Sequence, residues 1–148
     1  MIEIQEKNIR VYVDGTFYNG MYGGGYVVYE DEKIIYQDCG IGKNVPELLS
    51  MRNISGEMTA CMRATNWLVK NNKRGTIIHD YIGLSKWVTG EWNTNKEYTR
   101  KYAKYMQPFY KNGIIKFEWV KGHTNIEGNE IADRLAKQSV MYNQQWKF

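Results

Sequence analysis

The chain predicts a single α/β domain with elements in the order βββαβααβα, and three observations carry that prediction. Short β-branched runs bounded by glycine or polar turns recur along it, as in IRVYVD at 9–14 and TIIHD at 76–80. Stretches with apolar residues at helical spacing follow the third, fourth and fifth of these runs. The first and fourth runs each end in an aspartate, and the carboxyl edge of an open α/β sheet is where such folds place their chemistry.

The elements follow in order. Ile9 to Asp14 is a strand stopped by Gly15. Tyr22 to Tyr29 and Lys33 to Gln37 flank Glu30-Asp31-Glu32, which reads as a hairpin turn. Gly23, Gly24 and Gly25 weaken the first strand of that pair and mark a bulge, or a place where something must approach the backbone. Gly40 to Asn53 is a loop containing Pro46. Gly56 to Lys70 is a helix with Cys61, Ala64 and Leu68 on one face, closed by Asn71-Asn72. Thr76 to Asp80 is a short apolar strand, and Leu84 to Trp92 a short helix. Asn95 to Tyr110 is a longer helix that lines up Tyr98, Tyr102, Tyr105 and Phe109. After the Asn112-Gly113 turn, Ile114 to Val120 alternates as a half-buried strand. Glu127 to Met141 is the last helix, and the tail beyond it carries no readable pattern.

Composition narrows the function classes. A length of 148 residues suits one domain, with no internal repeat or linker. At 43% hydrophobic and 24% charged the chain is an ordinary globular sequence rather than a disordered one. No apolar run approaches the roughly 18 residues of a membrane span, and the start is no signal peptide, so a cytoplasmic location is expected. Cys39 and Cys61 have no spacing that suggests zinc or redox chemistry. A net charge of +4 favours a polyanionic partner weakly. The basic residues Lys96, Arg100, Lys101, Lys104, Lys111, Lys116 and Lys121 face only Glu97 and Glu118 along 96–121. Nothing asks for an obligatory protein partner, and a monomer is expected.

The acids are more informative. Period-2 alternation puts Asp14 on the face of Tyr12, at a strand end before a glycine, and Asp80 ends TIIHD. Glu57 shares a helix face with Cys61, Ala64 and Leu68. Asp133 shares a line with Asn129, Ala136 and Val140. Singly, each acid reads as a turn, cap or boundary residue. Jointly, four buried or half-buried carboxylates would repel one another unless cations neutralised them. Carboxylates without a His- or Cys-rich set select hard cations such as Mg²⁺ or Mn²⁺. Two such ions about 3.5–4 Å apart form the clamp used for in-line displacement at phosphorus. His123, in the loop of WVKGHTNIEGNEIADRLAK, is then placed to carry a proton to or from such a site without ligating metal.

From about Arg10 to about Gln138 the chain resembles the type 1 ribonuclease H family. The motifs that carry the resemblance are VYVDGT followed by GGGYVVY, then RNISGEMTA, IIHD and WVKGHTNIEGNEIADRLA. The resemblance implies a mixed five-stranded sheet flanked by helices, and cleavage of the RNA strand of RNA/DNA hybrids with 5′-phosphate and 3′-hydroxyl ends. It implies two Mg²⁺ ions, with Mn²⁺ as a substitute, held by Asp14, Glu57, Asp80 and Asp133. Asp14 would bridge the ions, Asp133 would complete the nucleophile side, and Glu57 and Asp80 would hold the leaving-group side. His123 would assist proton transfer and product release. Asn53 matches a minor-groove contact to the hybrid, and Asn129 belongs to the same matching pattern. Trp92 is a candidate aromatic wall against the DNA strand, or else a helix-end core residue.

This chain departs from the pattern in two places. Tyr81 stands where related sequences often have Ser or Asn after the third acid. Only Asn93 and Thr94 are expected between Trp92 and the next helix, in place of a basic loop, with Lys96, Arg100, Lys101 and Lys104 as partial substitutes. Transposase- or integrase-like nucleases share the architecture, but they use three acids and lack the Lys-Gly-His loop. A catalytically silent hybrid-binding domain would be marked by loss of an acid, and all four are present.

Overall fold

The computed structural model describes residues 7–122 and 126–148. Strand β1 (Ile9–Tyr18) and strand β2 (Met21–Glu30) form a hairpin. Its turn is Asn19-Gly20, with φ of 53° and 74°, the left-handed pair that matches the twist of two-residue hairpins. Gly15 therefore does not stop the first strand: it pairs with Gly24 in mid-ladder. Asp31, at φ 56°, turns β2 into β3 (Lys33–Ile41), which runs beyond the expected Gln37. The expected loop from Gly40 to Asn53 holds a short helix, α1 (Pro46–Ser50), with the proline in its first turn, where no N–H is missed.

Helix α2 (Asn53–Lys70) leads to β4 (Gly75–His79), followed by α3 (Gly83–Thr89), α4 (Glu97–Lys111), β5 (Ile115–Trp119) and α5 (Glu127–Met141). The sheet order is β3-β2-β1-β4-β5, antiparallel through the first three strands and parallel from β1 to β4 and β5. Helix α3 stops short of Trp92, at Gly90 in the left-handed conformation (φ 88°), so the connection to α4 is longer than the sequence suggests.

Alternation along the strands builds two cores. Val11, Val13, Val28, Ile77 and Ile115 face α2, α3 and α4, where Cys61, Leu68, Leu84, Tyr102 and Met106 are buried. Tyr12, Val27, Tyr29 and Ile78 face α5 through Ile131, Ala132 and Leu135. The triple glycine explains how both layers come so close. A Cβ on Gly25 would lie 2.7 Å from Leu135 Cβ, and one on Gly23 would collide with Ser139, both in α5. One on Gly24 points the other way and would collide with the Gly56 carbonyl of α2. The glycines are thus a two-sided helix crossing, and the irregularity in register lies elsewhere, between Val28 and Tyr29. No helix among the described residues is long and apolar enough to cross a membrane.

Candidate active site

Asp14 and Asp80 come together because β1 and β4 are parallel neighbours. Tyr12 pairs with Ile78, so each aspartate lies two residues past a paired position at the same end of the sheet. Glu57 is delivered by α2. A side chain on Gly15 would collide with the Asn53 carbonyl and would lie 2.6 Å from the Glu57 amide, so only glycine after Asp14 lets this helix start against the strand. Asp14, Glu57 and Asp80 each offer an oxygen within 4.8 Å of the others. Asp133 comes from α5, within hydrogen-bonding reach of Asp14, and its Oδ2 is 3.0 Å from Lys137 Nζ one turn on.

The four acids differ in exposure. Glu57 is 2% exposed, Asp14 and Asp133 are half-buried, and Asp80, expected at least half-buried, is exposed. It has left β4 by one residue, so the ladder no longer covers it. Burial, then the charge of Asp80, pushes the Asp14 carboxyl up to about 7, and the Gly15 amide at 2.8 Å from Oδ1 only partly opposes this. Burial, followed by Asp80 and Asp14, pushes Glu57 well above the ordinary carboxylate range. Glu57 Oε2 is buried with no hydrogen-bond partner among the described residues. An orphaned carboxylate oxygen beside two more carboxylates is an all-oxygen donor set of high negative charge, which fits a hard divalent cation.

The remaining expected residues are spread around this cluster. Asn53 is exposed at the start of α2, beside Arg52, whose guanidinium lies over the Phe17 ring at 5.4 Å. Asn129 is half-buried in the first turn of α5, one helical turn before Asp133. Trp92 is 38% exposed, and its ring contacts Tyr81 and Trp87, so it is both part of an aromatic cluster and open to solvent. His123 lies outside the described residues. Gly122, just before it, is set against Asp80: a Cβ there would be 3.3 Å from Oδ2. Lys96, Arg100, Lys101, Lys104, Lys111, Lys116 and Lys121 are all exposed, with Lys101 paired to Glu97 at 3.2 Å.

Two further neighbours of the site emerge only from the structure. Lys137 carries a sequence signal, as an i,i+4 partner of Asp133. Trp119, whose indole N–H donates to the Asp80 carbonyl at 2.8 Å, carries none beyond being one more aromatic in an alternating strand.

The profile of the RNase H family matches residues 6–141. A ribonuclease H of Orientia tsutsugamushi (strain Boryong) is 27% identical over 143 residues, spanning 86% of this chain and 79% of its own length. The RNase H1 of Halobacterium salinarum NRC-1 superposes with a TM-score of 0.75 at 19% identity, over 91% of this chain and 98% of the other. LC11-RNase H1, solved in complex with an RNA/DNA hybrid, superposes with a TM-score of 0.69 at 12% identity, over 90% and 99%. With the profile covering nearly the whole chain, on a sheet of the same architecture, the chain belongs to the RNase H family of metal-dependent endoribonucleases.

Proposed function

We propose that this protein hydrolyses the RNA strand of RNA/DNA hybrids with the aid of two Mg²⁺ ions, for which Mn²⁺ can substitute, leaving 5′-phosphate and 3′-hydroxyl ends. The observation that carries the reading is the convergence of Asp14, Glu57 and Asp80, with a buried Glu57 oxygen that has no hydrogen-bond partner among the described residues and with Asp133 beside Asp14. When bound, the ions would supply an activated water and charge neutralisation at the scissile phosphate.

The chain's own groups divide the remaining work. Asp14, central to the cluster, would be shared by both ions. Asp133 would hold one side, with Lys137 limiting its swing, and Glu57 and Asp80 the other. His123 would assist proton transfer to or from the site and help product depart. Asn53, at the start of α2, would contact the hybrid in its minor groove, where the 2′-hydroxyl separates RNA from DNA, and Asn129, on α5, would add a substrate contact. Trp92 would bear on the DNA strand. LC11-RNase H1, a structural neighbour bound to an RNA/DNA hybrid, supports the choice of substrate. The protein would act as a monomer.

The test presents one labelled strand as RNA/DNA, RNA/RNA, DNA/DNA and single-stranded RNA, with Mg²⁺ and then with EDTA. Cutting of RNA in the hybrid alone, abolished by EDTA, is expected. Hybrid binding without cutting in either Mg²⁺ or Mn²⁺ would overturn the reading.

A further inference from the structure

We propose that Trp119 and His79 are positioning residues for Asp80, acting as a clamp on the backbone carbonyls around it; the inference rests on the reading of Asp80 as an ion-holding carboxylate. Asp80 has left β4 and is exposed, so strand pairing no longer fixes its direction and core packing does not cover it. Its segment is held through three consecutive carbonyls instead. The His79 carbonyl accepts from the Val120 amide at 2.9 Å, the last rung between β4 and the chain leaving β5. The Asp80 carbonyl accepts from the Trp119 indole N–H at 2.8 Å. The Tyr81 carbonyl accepts from His79 Nδ1 at 2.9 Å and from the Leu84 amide at 3.2 Å.

Trp119 is 52% exposed, so the hydrogen bond rather than core packing accounts for its orientation. His79 is 1% exposed with its ring edge-on to Phe117, and Nδ1 must carry the proton because a carbonyl only accepts. Its Nε2 is buried without a hydrogen-bond partner among the described residues, so beside its packing on Phe117 the ring's polar anchor there is the bond that Nδ1 makes. Tyr81 turns its ring to Trp87 and Trp92, and the segment is braced through its backbone. Holding a carbonyl on each side of the Asp80 Cα restricts ψ at residues 79–81, and with it the reach of the carboxylate toward Glu57 and Asp14.

The test is substrate-free Mn²⁺ binding by titration calorimetry on wild type, Trp119→Phe, His79→Asn and Asp80→Asn. Trp119→Phe keeps a ring and removes the indole N–H. It should weaken Mn²⁺ binding about three- to tenfold, the range of one neutral hydrogen bond. It should also raise the half-saturating Mg²⁺ concentration for cleavage while leaving kcat at saturating Mg²⁺ near wild type. His79→Asn retains a donor at the Nδ1 position and should bind Mn²⁺ like wild type. Unchanged Mn²⁺ binding in Trp119→Phe beside weakened binding in Asp80→Asn would overturn the clamp alone. Unchanged binding in Asp80→Asn would overturn the ion-holding role and the clamp with it. A rate loss in Trp119→Phe that excess Mg²⁺ does not restore would make Trp119 a merely structural or substrate-contacting residue, and would also overturn the proposal.

Discussion

Asp14, half-buried, and Glu57, buried, sit where a carboxylate is least comfortable, short of water and beside other acids, and that discomfort is what a divalent ion relieves. The same reasoning predicts opposite effects of one substitution. Asp14→Asn removes the charge that both ions would share and should abolish cleavage; retention of more than a small fraction of the rate would refute its central role. In metal-free protein at pH 7.5 the variant should be more stable than wild type by roughly 1–3 kcal/mol, read from urea unfolding, because a crowded half-buried charge has been removed. For His123→Ala, turnover should fall by up to roughly 10²-fold without being lost, as expected of a proton carrier that holds no ion. Complete loss would assign it a larger role. Asp14, Glu57, Asp80 and Asp133 were legible only as a set, because each alone passes for a turn, cap or boundary residue while four buried or half-buried carboxylates together ask for neutralising cations. Trp119 was not, since nothing in alternation tells which aromatic spends its N–H on a neighbouring strand.

At the scale of elements, the five strands and four longer helices were legible in order from periodicity, while the five-residue helix α1 was too short to show a period and the positions of the ends were not legible. Gly15 and the Asn19-Gly20 turn show why. A glycine inside a strand looks like a stop until the partner helix that needs its missing Cβ is in place. Gly24→Ala should accordingly separate α2 from β2 and displace Glu57, lowering both stability and Mn²⁺ affinity, since its Cβ has backbone rather than a yielding side chain to meet. Normal Mn²⁺ binding in that variant would show that α2 tolerates the shift. The connection between α3 and α4 is longer than expected, yet it contributes only Lys96 to the basic surface before α4 begins. Hybrid affinity should therefore be weaker, and its salt dependence shallower, than in a member with a basic loop. A steep logarithmic slope in a salt titration, implying many phosphate contacts, would sink that expectation.

The whole molecule holds together through a segment that shows no pattern in the sequence. Beyond α5, Trp146 stacks on Tyr26 at 6.1 Å, with the Arg63 guanidinium over its ring at 4.9 Å, in a space kept open by Gly40. The buried Asp38 carboxylate accepts from the Lys147 amide at 3.0 and 3.1 Å and the Phe148 amide at 3.0 Å. No periodicity announces such a strap, because its partners lie about a hundred residues away in sequence. Trp146→Ala should cost roughly 3 kcal/mol, seen as a lowered Tm. Against that fixed scaffold the acid cluster sets the pH dependence of the apo fold. The folded pKa values of Asp14 and Glu57 lie above those of the unfolded chain, so the folded state holds protons that the unfolded state has released, for Asp14 between about pH 4 and 7. Their contribution to stability therefore falls as pH rises through that window. Thermal unfolding in EDTA should show it as a decline in Tm that Asp14→Asn flattens. Millimolar Mn²⁺ binds the folded state with its carboxylates ionised, so it should raise Tm more at pH 7.5 than at pH 5. An equal rise at both pH values would place the ion away from the titrating acids.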